Sequence, residues 1–407
     1  MLKFLSLSVI ATVGIFALTP TPVATAQTAN VRAAPLNYTV LASRFGMAGV
    51  SEADAQMMQS MMPAGNESTG GFGIGKNLEL RINHRAASIP SATHAVPPNA
   101  GGNPTLTLLP WSGKGSAPDG EPDLPQFKIS FYWGCGAAVR SGQPRVVDST
   151  RMSAVEAARA MPYARGGQVR RCTAGQTCWP NTQTTRERPP ASILGDHAIT
   201  SANQPTIKFN LPRDYLDAMQ LSTQGSITSG MNVSWPAVAD AQAYYLMAVH
   251  SNESGKEMTI WTSSEIADAG SASMSFVSQA TLQQWLRDKL LLAPSQTQCQ
   301  IPAGIFTSKE TPVMATAFGG EANFVHPPRP ADARAPWNQE WAATVRFSSF
   351  AMTSEEKSSA GSSRPSRSAR QTEPGAPPQA GQSGGATSPT DAVRQGAEGV
   401  LRGIFGR

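Results

Sequence analysis

Charge is scarce in this chain. Asp, Glu, Lys and Arg supply 15% of its 407 residues, against about 25% in an average globular protein. That excludes coiled coils and helix-rich designs, which are built from Glu, Lys, Arg, Ala and Leu. The 33 basic and 28 acidic residues leave a net charge of +5. So small an excess demands no polyanion partner, and without a basic stripe nucleic acid is not expected as one. Metal and nucleotide motifs are missing as well. There is no His-Glu-x-x-His and no paired Cys-x-x-Cys of a structural zinc site. Residues 70–77 resemble a phosphate loop up to Lys76, but Asn77 stands where Ser or Thr is needed, and a strand follows where the motif needs a helix. No run past the N-terminus approaches the roughly 20 apolar residues of a spanning helix.

What is abundant is turn material. The chain has 36 Gly and 32 Pro, about a sixth of the total against the usual roughly 12%. With 40% hydrophobic residues there is enough apolar surface for one or two cores, which excludes wholesale disorder. Short strands and turns fit this balance.

The N-terminus reads as an export signal over residues 1–26. Lys3 is positive, residues 4–18 are an uncharged apolar run, Pro20 and Pro22 end it, and Ala24-Thr25-Ala26 offers the small residues of a cleavage site. The mature chain is then expected in the periplasm, with secretion as the alternative. In an oxidising compartment the even set Cys135, Cys172, Cys178 and Cys299 predicts two disulfides. Three pairings are possible. The favoured one joins Cys172 to Cys178 around a Gly-containing loop and leaves Cys135 to meet Cys299.

Along the chain, residues 27–75 form a flexible Met- and Gly-rich segment. In it Ser51 and Asp54 offer caps for a short helix bearing Met57, Met58, Met61 and Met62. Residues 76–220 read as a first β module, with period-two alternation at Leu78/Leu80/Ile82, 105–109, 126–133 and Ile207/Phe209/Leu211, and a helix over 153–161. Residues 221–352 read as a second module. Its strands are expected at 231–235, 243–250, 257–262, 272–277, 312–318 and 341–347, with a helix from Thr281 whose Leu282, Trp285, Leu286 and Leu290 share a face. The fold class is mainly β: antiparallel sandwich modules with short helices and a disordered C-terminal tail. Residues 353–388 collapse into Ser, Gly, Pro, Arg and Gln and predict a disordered linker. Residues 389–407 end the chain with an amphipathic helix, Val393, Ala397, Val400, Leu401, Ile404 and Phe405 on one face, capped by Thr390. A helix on a tether suits docking to a protein or envelope component.

Residues 231–245, Met-Asn-Val-Ser-Trp-Pro-Ala-Val-Ala-Asp-Ala-Gln-Ala-Tyr-Tyr, are similar to fibronectin type III-like modules of exported bacterial proteins. In that family a Trp ends one core strand, a Pro/Ala/Asp turn follows, and a Tyr begins the next; Trp235 and Tyr244 hold those places. Residues 312–322 resemble the penultimate strand and its Gly-containing turn, and 341–347 the last strand. The resemblance covers about 221–350. It departs at the helix after Thr281 and at Cys299, which have no place in a simple module. It implies a binding or spacer role.

Three function classes are open to such a chain. A non-catalytic binding or structural role in the cell envelope leads, and exposed aromatics carry it: Tyr244, Tyr245, Trp261 and Trp337 lie near turns or polar neighbours. An extracytoplasmic hydrolase built from scattered residues is the alternative. Its candidates are Asp240, Glu253, Glu257 and Glu265, with five histidines, His84, His94, His197, His250 and His326, far apart in sequence. Asp196-His197 is the one acid–His neighbour pair, and adjacent strand residues face opposite ways. Copper handling by the Met57–Met62 thioethers is third. No cofactor is expected.

Overall fold

The computed structural model describes residues 35–48, 75–83, 91–111, 127–152, 156, 172, 175–181, 183–184, 187–273, 275–332 and 334–353. The export signal, the Met cluster, the 153–161 helix apart from Glu156, His84 and everything past residue 353 lie outside the described residues.

Sixteen strands and one helix are built from these residues. In chain order they are β1 (Leu36–Met47), β2 (Gly75–Asn83), β3 (Ala92–Ala95), β4 (Thr105–Pro110), β5 (Lys128–Trp133), β6 (Arg145–Asp148) and β7 (Gln176–Trp179). Then come β8 (Gly195–Ser201), β9 (Ile207–Leu211), β10 (Ser222–Ser226), β11 (Gly230–Ser234), β12 (Ala243–Ser251) and β13 (Glu257–Thr262). Helix α1 (Gln279–Arg287), β14 (Gln298–Ile301), β15 (Val313–His326) and β16 (Trp341–Thr353) complete the set. The expected mainly β class holds. The ladders join into a 13-stranded sheet, β6-β5-β13-β12-β15-β16-β1-β2-β7-β4-β3-β8-β9, and a three-stranded sheet, β10-β11-β14. Most pairs are antiparallel, but β1 runs parallel to β16 and β5 parallel to β13. The large sheet thus draws strands from either side of residue 220.

Period two explains how the strands are filled. β12 is buried on both faces. Tyr244, Leu246 and Ala248 enter one core with Met231, Val233 and Ile301 of the small sheet, while Ala243, Tyr245, Met247 and Val249 enter another with Leu282 and Trp285 of α1. A strand covered on both sides reads as an apolar run, which is what Ala243–Val249 is. The small sheet therefore lies on one face of the large one, and the helix on the other.

The 27–75 segment expected to be flexible instead holds β1, paired on both edges and buried at Leu36, Tyr38, Val40 and Ala42. Two further expectations also change. The helix starts earlier than Thr281: Ser278, in extended geometry, accepts the Thr281 N–H at 3.1 Å and is the N-cap. It stops at Arg287 because Lys289 takes a left-handed φ of 59°, so Leu290 is buried from the following loop. The described residues of 272–277 enter no ladder. Ser273 N–H closes a turn onto Gly270, and the Ser275 carbonyl is taken by the Ser348 hydroxyl at 3.1 Å. Apolar alternation without a neighbouring strand gives buried irregular chain.

The longest hairpin, β15–β16, carries a bulge. Its register slips by one residue between Phe318/Ser348 and Glu321/Arg346, so the inward face changes from Val313, Ala315 and Ala317 to Ala322 and Phe324. Gly319 and Gly320 make the slip possible. A Cβ on Gly320, where φ is +72°, would lie 2.3 Å from Gln242 Nε2 and 2.6 Å from Gln279 Oε1. Those two glutamines bond each other at 2.7 Å, and Arg213 donates to the Gly319 carbonyl at 2.9 Å. Gly320→Ala is expected to cost about 1–3 kcal/mol of stability through its φ and this clash, read as a lower urea midpoint with unchanged m-value.

Candidate functional site

The cysteines pair as Cys135–Cys299 and Cys172–Cys178, the connectivity favoured from sequence. Cys135 follows β5 and Cys299 sits in β14, so the first bridge ties the strands of the large sheet to the small one.

The predicted binding aromatics are mostly interior. Trp261 and Tyr244 are buried in the core shared with the small sheet, Tyr245 in the core under α1. Their polar atoms are used inside: Trp261 Nε1–H donates to the Gly134 carbonyl (3.1 Å), the Tyr244 hydroxyl accepts the Val238 N–H (2.8 Å), and the Tyr245 hydroxyl donates to Asp268. A β12 alternation hidden on both faces leaves no exposed place for either tyrosine. Trp337, in the β15–β16 connection, is half-buried and donates to the Pro327 carbonyl at 3.0 Å, with the Arg329 guanidinium 5.7 Å from its ring centroid. The four do not form one surface.

The candidate carboxylates are likewise dispersed. Arg140 grips Glu265 with both Nη atoms at 2.7 and 3.0 Å, and that hydrogen bonding holds Glu265 below the usual carboxylate range. Glu257 faces Lys128 at 3.7 Å, Asp240 occupies a turn with φ 61°, and Glu253 is exposed in the β12–β13 turn. The most developed buried carboxylate is Asp268, which sequence reasoning missed. It accepts Tyr245 O–H, Ser271 Oγ–H and the Gly270 and Ser271 N–H groups, and burial raises its pKa.

Sequence reasoning also missed the polar interior of the curled part of the sheet. β1 and β3 are separated by β2, β7 and β4 in hydrogen-bonded order, yet Tyr38 of β1 touches His94 of β3. The sheet therefore curls, and its inward side chains meet across the hollow. The Tyr38 hydroxyl lies 2.6 Å from His94 Nδ1, His94 Nε2 lies 2.8 Å from His197 Nδ1, and His197 Nε2 lies 2.7 Å from the Ile193 carbonyl. His197 also stacks on Phe209 (centroids 5.0 Å apart), and Phe209 stacks on Phe324 of β15 (4.8 Å).

The last acceptor sets the direction of the whole chain. A carbonyl can only accept, so His197 carries its proton on Nε2. Neutral His197 then accepts at Nδ1, His94 donates from Nε2, and the Tyr38 hydroxyl donates to His94 Nδ1. All three groups are buried, and burial opposes charge on each. Desolvation, with the charge of His197 second, takes His94 from 6.5 down to about 3. Burial also lowers His197 and raises Tyr38. Every ring nitrogen is occupied. The arrangement organises the interior and leaves neither imidazole a free ring nitrogen. An open depression of about 370 Å³ lies beside it, lined by Asp196, His197, Lys208, Phe209 and Asn210 among others. Asp196 points outward to Asn210 Nδ2 (2.8 Å) while His197 points in, as period two requires.

The depressed His94 makes stability pH-dependent. Between pH 6.5 and about 3 the unfolded chain binds a proton there and the folded chain does not, so stability falls as pH falls through this window, by on the order of several kcal/mol at its foot. His94→Gln keeps one acceptor and one donor but cannot titrate. Its urea midpoints, measured from pH 7 to 4, are expected to fall less steeply than those of the parent; an identical slope would remove His94 as the cause.

Among the described residues, no helix is long and apolar enough to cross a membrane and no cluster of three His, Cys, Asp or Glu side chains suits a metal ion. No protein-family model matches this chain, and no curated protein matches it either.

Proposed function

We propose that this is an exported, non-catalytic binding or structural protein of the cell envelope, cleaved after Ala26 and retained in the periplasm. The single observation that carries the reading is the complete pairing of the four cysteines, one bridge spanning 164 residues. Such bonds persist in oxidising compartments. The non-catalytic part is supported by His94 and His197, whose four ring nitrogens are all hydrogen-bonded within the protein.

Within this reading, residues 221–352 are a fibronectin type III-like module. Support comes from strand order. Numbering its seven strands from β10, the first, second and fifth form one sheet and the fourth, third, sixth and seventh run consecutively in the other, a Greek-key sandwich. Trp235 packs edge-on against Tyr244 at 5.4 Å, the two positions on which the resemblance rests. In this proposal the remaining strands extend the module's larger sheet at both edges, and the C-terminal helix at 389–407 tethers the body to a protein or envelope partner.

Expressed with its own N-terminus and fractionated, the chain is expected outside the cytoplasm, beginning at Gln27, with thiols that alkylate only after reduction. A cytoplasmic, thiol-reactive chain overturns the reading. Crosslinking in intact cells should recover a partner that is lost when the chain ends at Ser354. The Cys135→Ala, Cys299→Ala double variant is expected to lose about 2–5 kcal/mol of stability in urea unfolding.

A further inference from the structure

The end of the sheet where β1 finishes and β2 begins sets two cations face to face. Arg44 and Lys76 are directly opposed in the antiparallel β1–β2 ladder. Their side chains share one face, an arrangement that repels unless negative charge lies between them. Neither forms an ion pair with a carboxylate of a described residue. Lys76 gives one hydrogen bond, to the Ala191 carbonyl at 2.6 Å, and its Nζ stands 5.7 Å from the centroid of the Tyr215 ring.

Tyr215 comes from the irregular chain after β9, which is pressed onto this end of the sheet. Met219 N–H bonds the Ser349 hydroxyl at 3.0 Å, and a Cβ on Gly46 would lie 3.2 Å from the Met219 carbonyl. The Tyr215 hydroxyl is buried and has no hydrogen-bond partner, and neither has the buried Nε of Arg44. Burial and then the charge of Asp214 hold that hydroxyl well above its usual range, and the charge of Arg44 acts in the opposite sense. The neighbouring carboxylate, Asp214, already accepts the N–H groups of Ile193 at 3.0 Å and Tyr215 at 2.8 Å. Three donors of different chemistry thus stand at one end of the sheet, with two cations against the single carboxylate of Asp214. Buried donors without an acceptor are costly enough that native proteins rarely keep them without a purpose.

We propose that Arg44, Lys76 and Tyr215 form a binding site for an oxyanion group, a carboxylate or a phosphate. Its negative charge would relieve the Arg44–Lys76 repulsion, and its several lone pairs would accept from Nε–H, Nζ–H and the phenol O–H together. The site stands on residues that the proposed function does not use, so either can fail without the other.

The test is urea unfolding of the full chain at constant ionic strength, titrated with inorganic phosphate in one arm and acetate in the other. A saturable rise of the midpoint is expected, because a ligand that binds only the folded state stabilises it. Arg44→Gln and Lys76→Gln should abolish the rise. Tyr215→Phe, which removes an unsatisfied buried hydroxyl, should fold at least as well as the parent without anion, yet bind about ten-fold more weakly. A response to phosphate alone assigns a phosphate ligand, and to acetate alone a carboxylate. No saturable response to either, or an equal response in the variants from general salting-out, overturns the proposal.

Discussion

The architecture depends on β16 being hydrogen-bonded along both edges. On one side it completes the antiparallel hairpin with β15; on the other it pairs with β1 in parallel, from Leu36 opposite Trp341 to Met47 opposite Met352. Had this edge been left open, the sandwich formed by the last seven strands would end there, and a long strand edge invites pairing with other chains. Because β1 takes the edge, and β2 follows β1 by an antiparallel turn of direction, every later strand of the curled region inherits its position from that one seam. The side chains of Trp341, Ala343, Val345 and Phe347 that face the core therefore serve the sandwich and the curl at once.

A curled sheet creates an interior with little room for water, and polar groups trapped there have two fates. Around His94 they are closed into a line that ends on a carbonyl, and burial then keeps the imidazoles neutral. In the separate core under α1, Asp268 is likewise closed, by four donors. Around Arg44 and Tyr215 the donors stay open. Each site has a buried tyrosine hydroxyl, Tyr38, Tyr245 or Tyr215, which makes the contrast direct. What separates them is whether an acceptor of the same chain lies within reach.

Legibility in the sequence followed locality. Leu78, Leu80 and Ile82, or Phe127, Ile129 and Phe131, announce their strands because alternation is carried by neighbouring residues, and all six are buried. The Cys172–Cys178 loop was legible for the same reason. β1 was hidden because Leu36–Met47 mixes apolar residues with Asn37, Thr39, Ser43 and Arg44 on a strand buried on much of both faces. β3 is four residues long and lies among prolines and glycines. The Tyr38–His94–His197 line could not be read at all: its members are separated by 56 and 103 residues, and only the curl brings them together. The aromatic surface reading failed for Tyr244, Tyr245 and Trp261 for a related reason. A tyrosine or tryptophan next to polar residues has the same local pattern whether its strand is covered on one face or on two.

The parallel seam also sets an order of events. β1 can pair early with β2, but its parallel partner comes some three hundred residues later, so its second edge stays unpaired until β16 has been made. Contacts this remote are slow to form, since a long loop must be closed before any of them is gained. Local hairpins such as β8–β9 and β12–β13 can close before the seam, and the seam that joins them into one sheet closes last.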